Sequence, residues 1–434
     1  MMTAKLPELC GPLFYDEPST YLSLWNRFRG WEYTGWKAES MSWKTGCYIH
    51  AGLSDTQMNF TGPDVVRFFE SLCVNNFEKF SIGSMKHAVF CTDAGLIAAH
   101  GILQRNTETE LRLFAAPPWP AYHAMAKKFR VEAQFPRCYL FQVAGPTSLE
   151  TLERAADESL RDIGFLRFRD AKIADKRVEI GRIGMSGNLA YEIRGPLEEG
   201  PVVYDAVFRA GRDLGIQRLG WRTYLVNHVE GGFPQMTWTF AGAMLEDSGF
   251  VKFLGGNLPA FQVTGSVDPA DARARYRTPV EVGWQSTVRL NHEFIGRKAV
   301  EAEMANPRRT VATLRWNTED VVDIYRSLFG KGEEYRTMDL PTTPTWKDGM
   351  ICHADHITVS GKPVGYSSGT IYSYYFREML SMACIDIELA KIGTGVIVHW
   401  GDHGKRIKEV RATVERFPYL AEGRNDKVDT STKS

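Results

Sequence analysis

Residues 46–64 read GCYIHAGLSDTQMNFTGPD, and this stretch sets the beginning of the fold. Its apolar start predicts a strand, and Gly62-Pro63 predicts a turn. A helix is expected next, because Pro63 suits the first helical turn and apolar side chains share one face between Val65 and Leu72. The chain therefore opens with a strand that is followed by a helix.

The alternation of strands and helices continues to about residue 300. A buried strand over 138–143 precedes a predicted helix over 148–160, and another amphipathic helix is predicted over 203–214. The segments 96–103 and 111–114 predict a hairpin, since polar turn residues separate them. This pattern indicates an α+β fold.

The composition changes near residue 306. From there, short alternating strands are separated by glycines, which predicts a distinct β-rich domain over 306–420. The last residues, 421–434, are polar and charged and predict a disordered tail. We therefore expect an α+β region over 1–305, followed by the β-rich domain and the tail.

The charge of the 434 residues is balanced, with 52 Lys and Arg against 52 Asp and Glu. Such a chain has no long-range attraction for nucleic acid or a membrane surface. No apolar run approaches the roughly 20 residues of a membrane-spanning helix. The seven cysteines form no Cys-x-x-Cys pair, which favours reduced thiols. We expect a cytoplasmic enzyme for a small molecule, with neither nucleic acid nor membrane as partner.

Several motifs resemble phosphate or metal sites: they are Gly181-x-x-Gly184-x-x-Gly187, His292-Glu293, His353-x-x-His356 and His399-x-x-x-His403. The glycine motif leads into a predicted strand, whereas a phosphate loop needs a helix N-terminus. The histidine motifs lack a second or a third ligand. We therefore expect no metal site.

Three segments, in the right order along the chain, carry a resemblance to a known family. They are the quoted residues 46–64, residues 185–193 (MSGNLAYEI) and residues 292–299 (HEFIGRKA). Together they resemble the aminomethyltransferase family, to which the T-protein of the glycine cleavage system belongs. The resemblance implies two intertwined α+β subdomains, a C-terminal domain like a β-barrel or jelly roll, and tetrahydrofolate as cofactor.

Within that family the chain resembles the tetrahydrofolate-dependent O-demethylases of vanillate and syringate type. Residues 219–234 (LGWRTYLVNHVEGGFP) match their tyrosine-bearing active-site stretch. Segments at 314–317, 323–329 and 338–341 resemble features that the glycine-cleavage enzymes lack. This resemblance implies transfer of a methyl group from an aromatic methyl ether to N5 of tetrahydrofolate.

The resemblance also implies roles for four residues. Tyr224 would protonate the departing phenolate, and Glu192 would accept hydrogen bonds from the pterin amino and ring N–H groups. Arg222 and Glu230 would orient Tyr224 or bind the folate. The structural alternatives are a core tyrosine, a solvated strand glutamate and a structural ion pair.

Two positions depart from the family pattern. His100 stands where the family usually has an acidic residue before a glycine, which argues against glycine cleavage and makes His100 a second candidate acid. Ala116 stands where vanillate-type enzymes carry an arginine for the substrate carboxylate. We therefore expect an aromatic donor that is neutral or differently anchored, lined by Phe114, Trp119 and Phe233.

Two other functions remain open beside O-demethylation. One is the opening of a methylenedioxy ring, which would pass a methylene group to tetrahydrofolate. The other is a non-catalytic folate-binding protein, which the replacement at His100 supports and the presence of Tyr224 opposes. The sequence alone does not separate methyl from methylene transfer.

Overall fold

The computed structural model describes residues 17–24, 27–54, 56–256, 262–342 and 351–431. These residues divide into two compact units.

Unit 1 holds the residues up to Ala88, then His100–Asn227, then those from Ala421 on; unit 2 holds Val89–Ala99 and His228–Leu420. This division differs from the predicted boundary at residue 306, since a strand over 262–264 already pairs with one over 351–353 within unit 2.

Within the described residues the strands, labelled in chain order, are β1 (Thr20–Leu24), β2 (Arg27–Glu32), β3 (Cys47–His50), β4 (Met58–Thr61), β5 (Ser84–Cys91), β6 (Ile97–Arg105), β7 (Glu110–Phe114), β8 (Glu132–Gln134), β9 (Cys138–Ala144), β10 (Phe168–Ile173), β11 (Lys176–Gly181), β12 (Ala190–Pro196), β13 (Ile216–Arg218), β14 (Gln262–Thr264), β15 (Arg309–Trp316), β16 (Ile351–His353), β17 (Asp355–Val359), β18 (Lys362–Ser373), β19 (Glu378–Asp386), β20 (Gly395–Trp400) and β21 (Lys408–Glu415).

The α-helices of the same residues are α1 (Trp36–Thr45), α2 (Val65–Glu70), α3 (Trp119–Ala124), α4 (Ser148–Ala156), α5 (Gly200–Ala210), α6 (Trp221–Gly231), α7 (Ser248–Phe253), α8 (Ala272–Arg275), α9 (Arg297–Ala305) and α10 (Thr318–Ser327). No helix in this part of the chain has the length and apolar character needed to cross a membrane.

The main sheet of unit 1 has the strand order β10-β11-β12-β9-β3-β13. Strand β13 runs parallel to β3, and the other neighbouring strands are antiparallel. Helices α4 and α5 pack on this sheet, and their apolar faces meet the fully buried strand β9 in one core cluster. The buried strand predicted over 138–143 is thereby confirmed.

Two helix predictions also hold, with changed ends. Helix α4 stops at Ala156, earlier than predicted, because Asp157 takes a left-handed conformation at φ 52°. The helix predicted over 203–214 is α5 followed by a short 3₁₀ turn, and it ends at Gly215 with φ 78°.

A five-stranded sheet has the order β5-β6-β7-β4-β8. The predicted hairpin is confirmed as β6 and β7, with Ile102 opposite Phe114. The opening stretch 46–64 supplies two strands, β3 and β4, before α2, so each of two sheets receives one strand from it. Gly62 is needed at its turn, because a Cβ there would lie 2.0 Å from the Arg130 carbonyl oxygen at a φ of 145°.

Unit 2 contains a closed barrel with the strand order β15-β19-β18-β17-β20-β21. All its pairings are antiparallel. Trp316 and Trp400 meet edge to face at 5.7 Å inside its core, and the Trp316 indole donates to Ser381 Oγ at 2.9 Å. The predicted C-terminal β-barrel is therefore confirmed.

The segment after residue 420 differs from the expected disordered tail. Residues 421–431 belong to unit 1, where the Arg182 guanidinium donates to Asn425 Oδ1 at 3.1 Å and to Thr430 Oγ1 at 3.0 Å. Arg182 is only 4% exposed, so its buried charge needs such acceptors. The polar composition that suggested disorder supplies them.

Candidate functional site

The centre of the candidate site is Tyr224, on helix α6. Its side chain is fully buried, and its ring stacks on His50 with the centroids 4.1 Å apart and the planes within 12°. Trp221 packs edge-on against the same ring at 5.0 Å. The Tyr224 hydroxyl donates to Met185 Sδ at 3.8 Å, and a thioether is only a weak acceptor. These ring contacts fix the position of the phenol.

His50, on strand β3, was not singled out in the sequence. Its Nδ1 donates to the Leu219 carbonyl oxygen at 2.8 Å, since a carbonyl can only accept. Neutral His50 therefore carries its proton on Nδ1. A Cβ at Gly52 would lie 2.4 Å from Nε2 of His50 and 2.5 Å from Nε1 of Trp221, so both rings pack directly on this glycine.

The pKa of Tyr224 is raised well above its usual value, chiefly by burial. The neighbouring Tyr48 hydroxyl and the Glu192 carboxylate add to the rise in pKa, and a hydrogen bond with Gln142 works against it. Burial likewise raises the pKa of Tyr48. Both phenols therefore keep their protons at neutral pH, as a proton donor must.

Glu192, on strand β12, is buried in the same unit. Its Oε1 accepts a hydrogen bond from Gln142 Nε2 at 3.1 Å, and its Oε2 accepts one from Arg194 Nη2. Only 4% of the residue is exposed, so it is not the solvated strand glutamate that was the structural alternative. A carboxylate oxygen has two lone pairs, so Glu192 can accept further hydrogen bonds from a ligand.

A second acceptor lies near the two phenols. Asn227 is fully buried and donates from Nδ2 to the Tyr48 hydroxyl at 3.1 Å, while its Oδ1 has no hydrogen-bond partner among the described residues. A buried acceptor without a partner is costly unless a ligand satisfies it. Glu192 and Asn227 together suit the amino and ring N–H groups of a reduced pterin, so the residues present fit tetrahydrofolate.

Arg222 and Tyr224 lie on different faces of helix α6. The two residues are two positions apart on α6, which places them about 200° apart around the helix. Arg222 Nη1 instead donates to Glu32 Oε2 at 2.8 Å. Its predicted folate role stays a prediction.

Two predicted residues belong to unit 2. There the Glu230 carboxylate accepts a hydrogen bond from Ser373 Oγ at 2.6 Å, and Phe233 packs against Trp284 with ring centroids 5.6 Å apart. The roles of Glu230 toward folate and of Phe233 toward the donor stay predictions.

The other predicted residues of unit 1 lie near strands β6 and β7. His100 is 6% exposed, and its Nδ1 is 3.2 Å from Nε2 of His87. Burial lowers the pKa of His87 to about 4, so that imidazole is neutral. Phe114 lies under the Arg194 guanidinium at 3.9 Å, and Trp119 packs edge-on against a neighbouring imidazole on α3 at 4.5 Å. Their contact with a donor stays a prediction.

No group of three His, Cys, Asp or Glu side chains in the described ranges is placed to hold a metal ion. Two histidines of the rejected motifs bind protein groups: His353 Nε2 contacts Asp355 Oδ2 at 2.8 Å, and His399 Nε2 contacts Thr358 Oγ1 at 2.9 Å.

We predict that incubation with a metal chelator leaves turnover unchanged, because folate N5 is itself the nucleophile in the expected reaction. The measurement is the initial rate before and after chelator treatment and dialysis. A loss of rate that added zinc or iron restores would contradict the prediction.

The fold defines a protein of the aminomethyltransferase type. Residues 12–240, just over half of the chain, match the GCVT N-terminal domain. The chain therefore belongs to the GCVT family. A crystal structure of the glycine cleavage system aminomethyltransferase T from Bartonella henselae shares the fold, with a TM-score of 0.68 over 93% of this chain and 95% of that one at 14% identity.

Two relatives match over almost their whole length. A sesamin methylene transferase from Sinomonas sp. is 36% identical, with 92% of each chain covered. A syringate O-demethylase from Sphingobium sp. is 28% identical, covering 92% of this chain and 91% of that one. The predicted relation to the O-demethylases is confirmed. The chain is a one-carbon transferase, and tetrahydrofolate, the cofactor predicted from the sequence, is the acceptor of this family.

Proposed function

We propose that the enzyme moves a one-carbon unit from an aromatic ether to N5 of tetrahydrofolate, with a phenol as the leaving group. The observation that carries this proposal is Tyr224, fully buried and stacked on His50 in the unit that holds Glu192. A buried tyrosine hydroxyl that keeps its proton is suited to protonate the oxygen of a departing phenolate. The names of the two relatives point to aromatic ethers of this kind as donors.

Tetrahydrofolate, when bound, supplies the nucleophilic nitrogen that accepts the carbon. Glu192 and Asn227 Oδ1 accept hydrogen bonds from the pterin donors and so orient it. Tyr224 donates its proton to the ether oxygen as the carbon–oxygen bond breaks. The burial that raises the pKa of Tyr224 also makes a departing phenolate more basic. The proton affinities of the two phenolic oxygens therefore stay similar, which favours proton transfer between them. His50 and Trp221 keep the Tyr224 ring in place.

The first donor class is a methoxylated aromatic compound, which would yield a free phenol and 5-methyl-tetrahydrofolate. Ala116 lacks the positive charge that would hold a substrate carboxylate, so we expect a donor without one. Contact of the donor with Phe114, Trp119 and Phe233 belongs to the same proposal.

The second donor class is a methylenedioxy aromatic compound, which would yield a catechol and methylene-tetrahydrofolate. A specific observation favours it: the methylene transferase is 36% identical to this chain, against 28% for the O-demethylase.

One experiment separates the two donor classes. The enzyme is incubated with tetrahydrofolate and paired methoxylated and methylenedioxy aromatics, each with and without a carboxylate, and the folate product is identified by mass. We expect methyl- or methylene-tetrahydrofolate from donors that lack the carboxylate. Turnover of carboxylated donors alone would contradict the expected donor class, and no folate product from any donor would contradict the proposed function.

We predict that Glu192→Ala weakens tetrahydrofolate binding by about 1.5–3 kcal/mol, the usual range for hydrogen bonds to a charged group. Calorimetry in the absence of donor measures the change. Glu153→Ala is the control, because it breaks an ion pair of the same unit, with Arg161 at 3.1 Å, and should leave folate affinity unchanged. Unchanged affinity in Glu192→Ala would remove Glu192 from the folate site.

A further inference from the structure

We infer that Arg194 is a positioning residue for folate binding, which holds the Glu192 carboxylate correctly oriented for the pterin. The inference rests on the proposed function, because that function assigns Glu192 to the folate. Arg194 acts through Glu192 and touches no reacting atom in this assignment.

The strand geometry brings the two side chains together. Residues two apart on a strand point to the same face, and both Glu192 and Arg194 lie on β12. Arg194 Nη2 donates to Glu192 Oε2, and the side chains are only 3% and 5% exposed respectively. A buried charge without a partner is strongly destabilised, so each member of this pair depends on the other.

Arg194 is itself held from three other strands. Its Nη1 donates to Glu179 Oε1 on β11 at 3.3 Å and to Gln104 Oε1 on β6 at 3.1 Å. The Phe114 ring on β7 lies 3.9 Å from its guanidinium carbon. A planar guanidinium can donate hydrogen bonds to several acceptors while it stacks on an aromatic ring. The single ammonium of a lysine cannot do both.

The charges of this group alternate from the surface inward. Arg112 Nη1 pairs with Glu179 Oε2 at 3.2 Å, Glu179 pairs with Arg194, and Arg194 pairs with Glu192. Arg112 Nε also donates to Glu110 Oε1 at 2.9 Å, so this group has three carboxylates and two guanidinium groups.

Among the groups that face Glu192 in the described residues, Arg194 carries the positive charge. Gln142 has no charge, and the phenols of Tyr48 and Tyr224 keep their protons because burial raises the pKa of each. Without Arg194 the buried carboxylate would lose its charged partner and the contact that orients it, and the pterin would lose an acceptor.

The test measures the dissociation constant of tetrahydrofolate by calorimetry, without donor, for Arg194→Met and Arg194→Lys. We expect Arg194→Met to weaken binding about tenfold or more and Arg194→Lys to restore part of the affinity.

A double-mutant cycle separates positioning from packing. In a Glu192→Gln background, Arg194→Met should weaken folate binding by clearly less than it does alone, because the carboxylate it positions is gone. The matched control is Arg182→Met, a buried arginine of the same unit that binds the C-terminal segment. It should lower the melting temperature without changing folate affinity.

Each outcome bears on one claim. Equal effects of Arg194→Met in both backgrounds, or unchanged affinity while Glu192→Ala weakens binding, would overturn the inference and spare the proposed function. Unchanged affinity in Glu192→Ala would overturn the folate role of Glu192 itself. If Arg194→Met does not fold, Glu179→Gln is added to it, because the Glu179 carboxylate also loses its Arg194 partner. The double-mutant cycle is then measured in this background.

Discussion

Tyr224→Phe is expected to slow turnover by about 10²-fold or more while the protein stays folded. The substitution keeps the aromatic ring, so the stack on His50 and the edge contact with Trp221 remain. What disappears is the hydroxyl that we propose as the proton donor to the departing phenolate. Folate affinity and melting temperature should change little, because the buried ring and its packing are kept.

Donors with different leaving groups sharpen this prediction. A more acidic phenol needs less protonation as it leaves, so such donors should partly rescue Tyr224→Phe. A structural tyrosine would give the reverse result, with a loss of about 0.5–1.5 kcal/mol of stability and full turnover. If turnover holds on every donor, Tyr224 is not the acid. His100, 3.2 Å from the neutral His87, would then be tested next.

The sequence predicted the parts of this fold that depend on local pattern. The β6–β7 hairpin, strand β9 and the C-terminal barrel follow from alternation, apolar runs and glycine spacing. The prediction of a disordered tail was based on polar composition alone. It could not anticipate that the buried Arg182 guanidinium, which is distant in sequence, donates hydrogen bonds to the tail.

The candidate site was predicted only in part, for a similar physical reason. His50 meets Tyr224 through the packing of β3 beside α6, and no local pattern in the sequence reports a contact between such distant residues. Arg194 did leave a signal. Strand alternation from Glu192 places Arg194 on the same face, and a buried carboxylate calls for a cation there.

Gly52→Ala is expected to lower turnover by about 10²-fold, although Gly52 supplies no side chain to the site. The added Cβ would lie 2.4 Å from His50 Nε2 and 2.5 Å from Trp221 Nε1, so both rings must move. His50 cannot move alone, because its Nδ1 is bonded to the Leu219 carbonyl oxygen and its face is stacked on Tyr224. A displacement of about 1 Å at a reacting group can cost about 10²-fold in rate.

The overpacking in Gly52→Ala should also cost about 1–3 kcal/mol of stability, so turnover is measured well below the melting temperature. Gly164→Ala is the control in the same unit, because its Cβ would meet only Arg167 Cγ, at an ordinary 3.6 Å. That variant should keep both turnover and stability. A displaced Tyr224 slows the chemical step more than folate binding, so kcat should fall while folate affinity changes little. Full turnover in folded Gly52→Ala would show that the His50 stack does not position the acid.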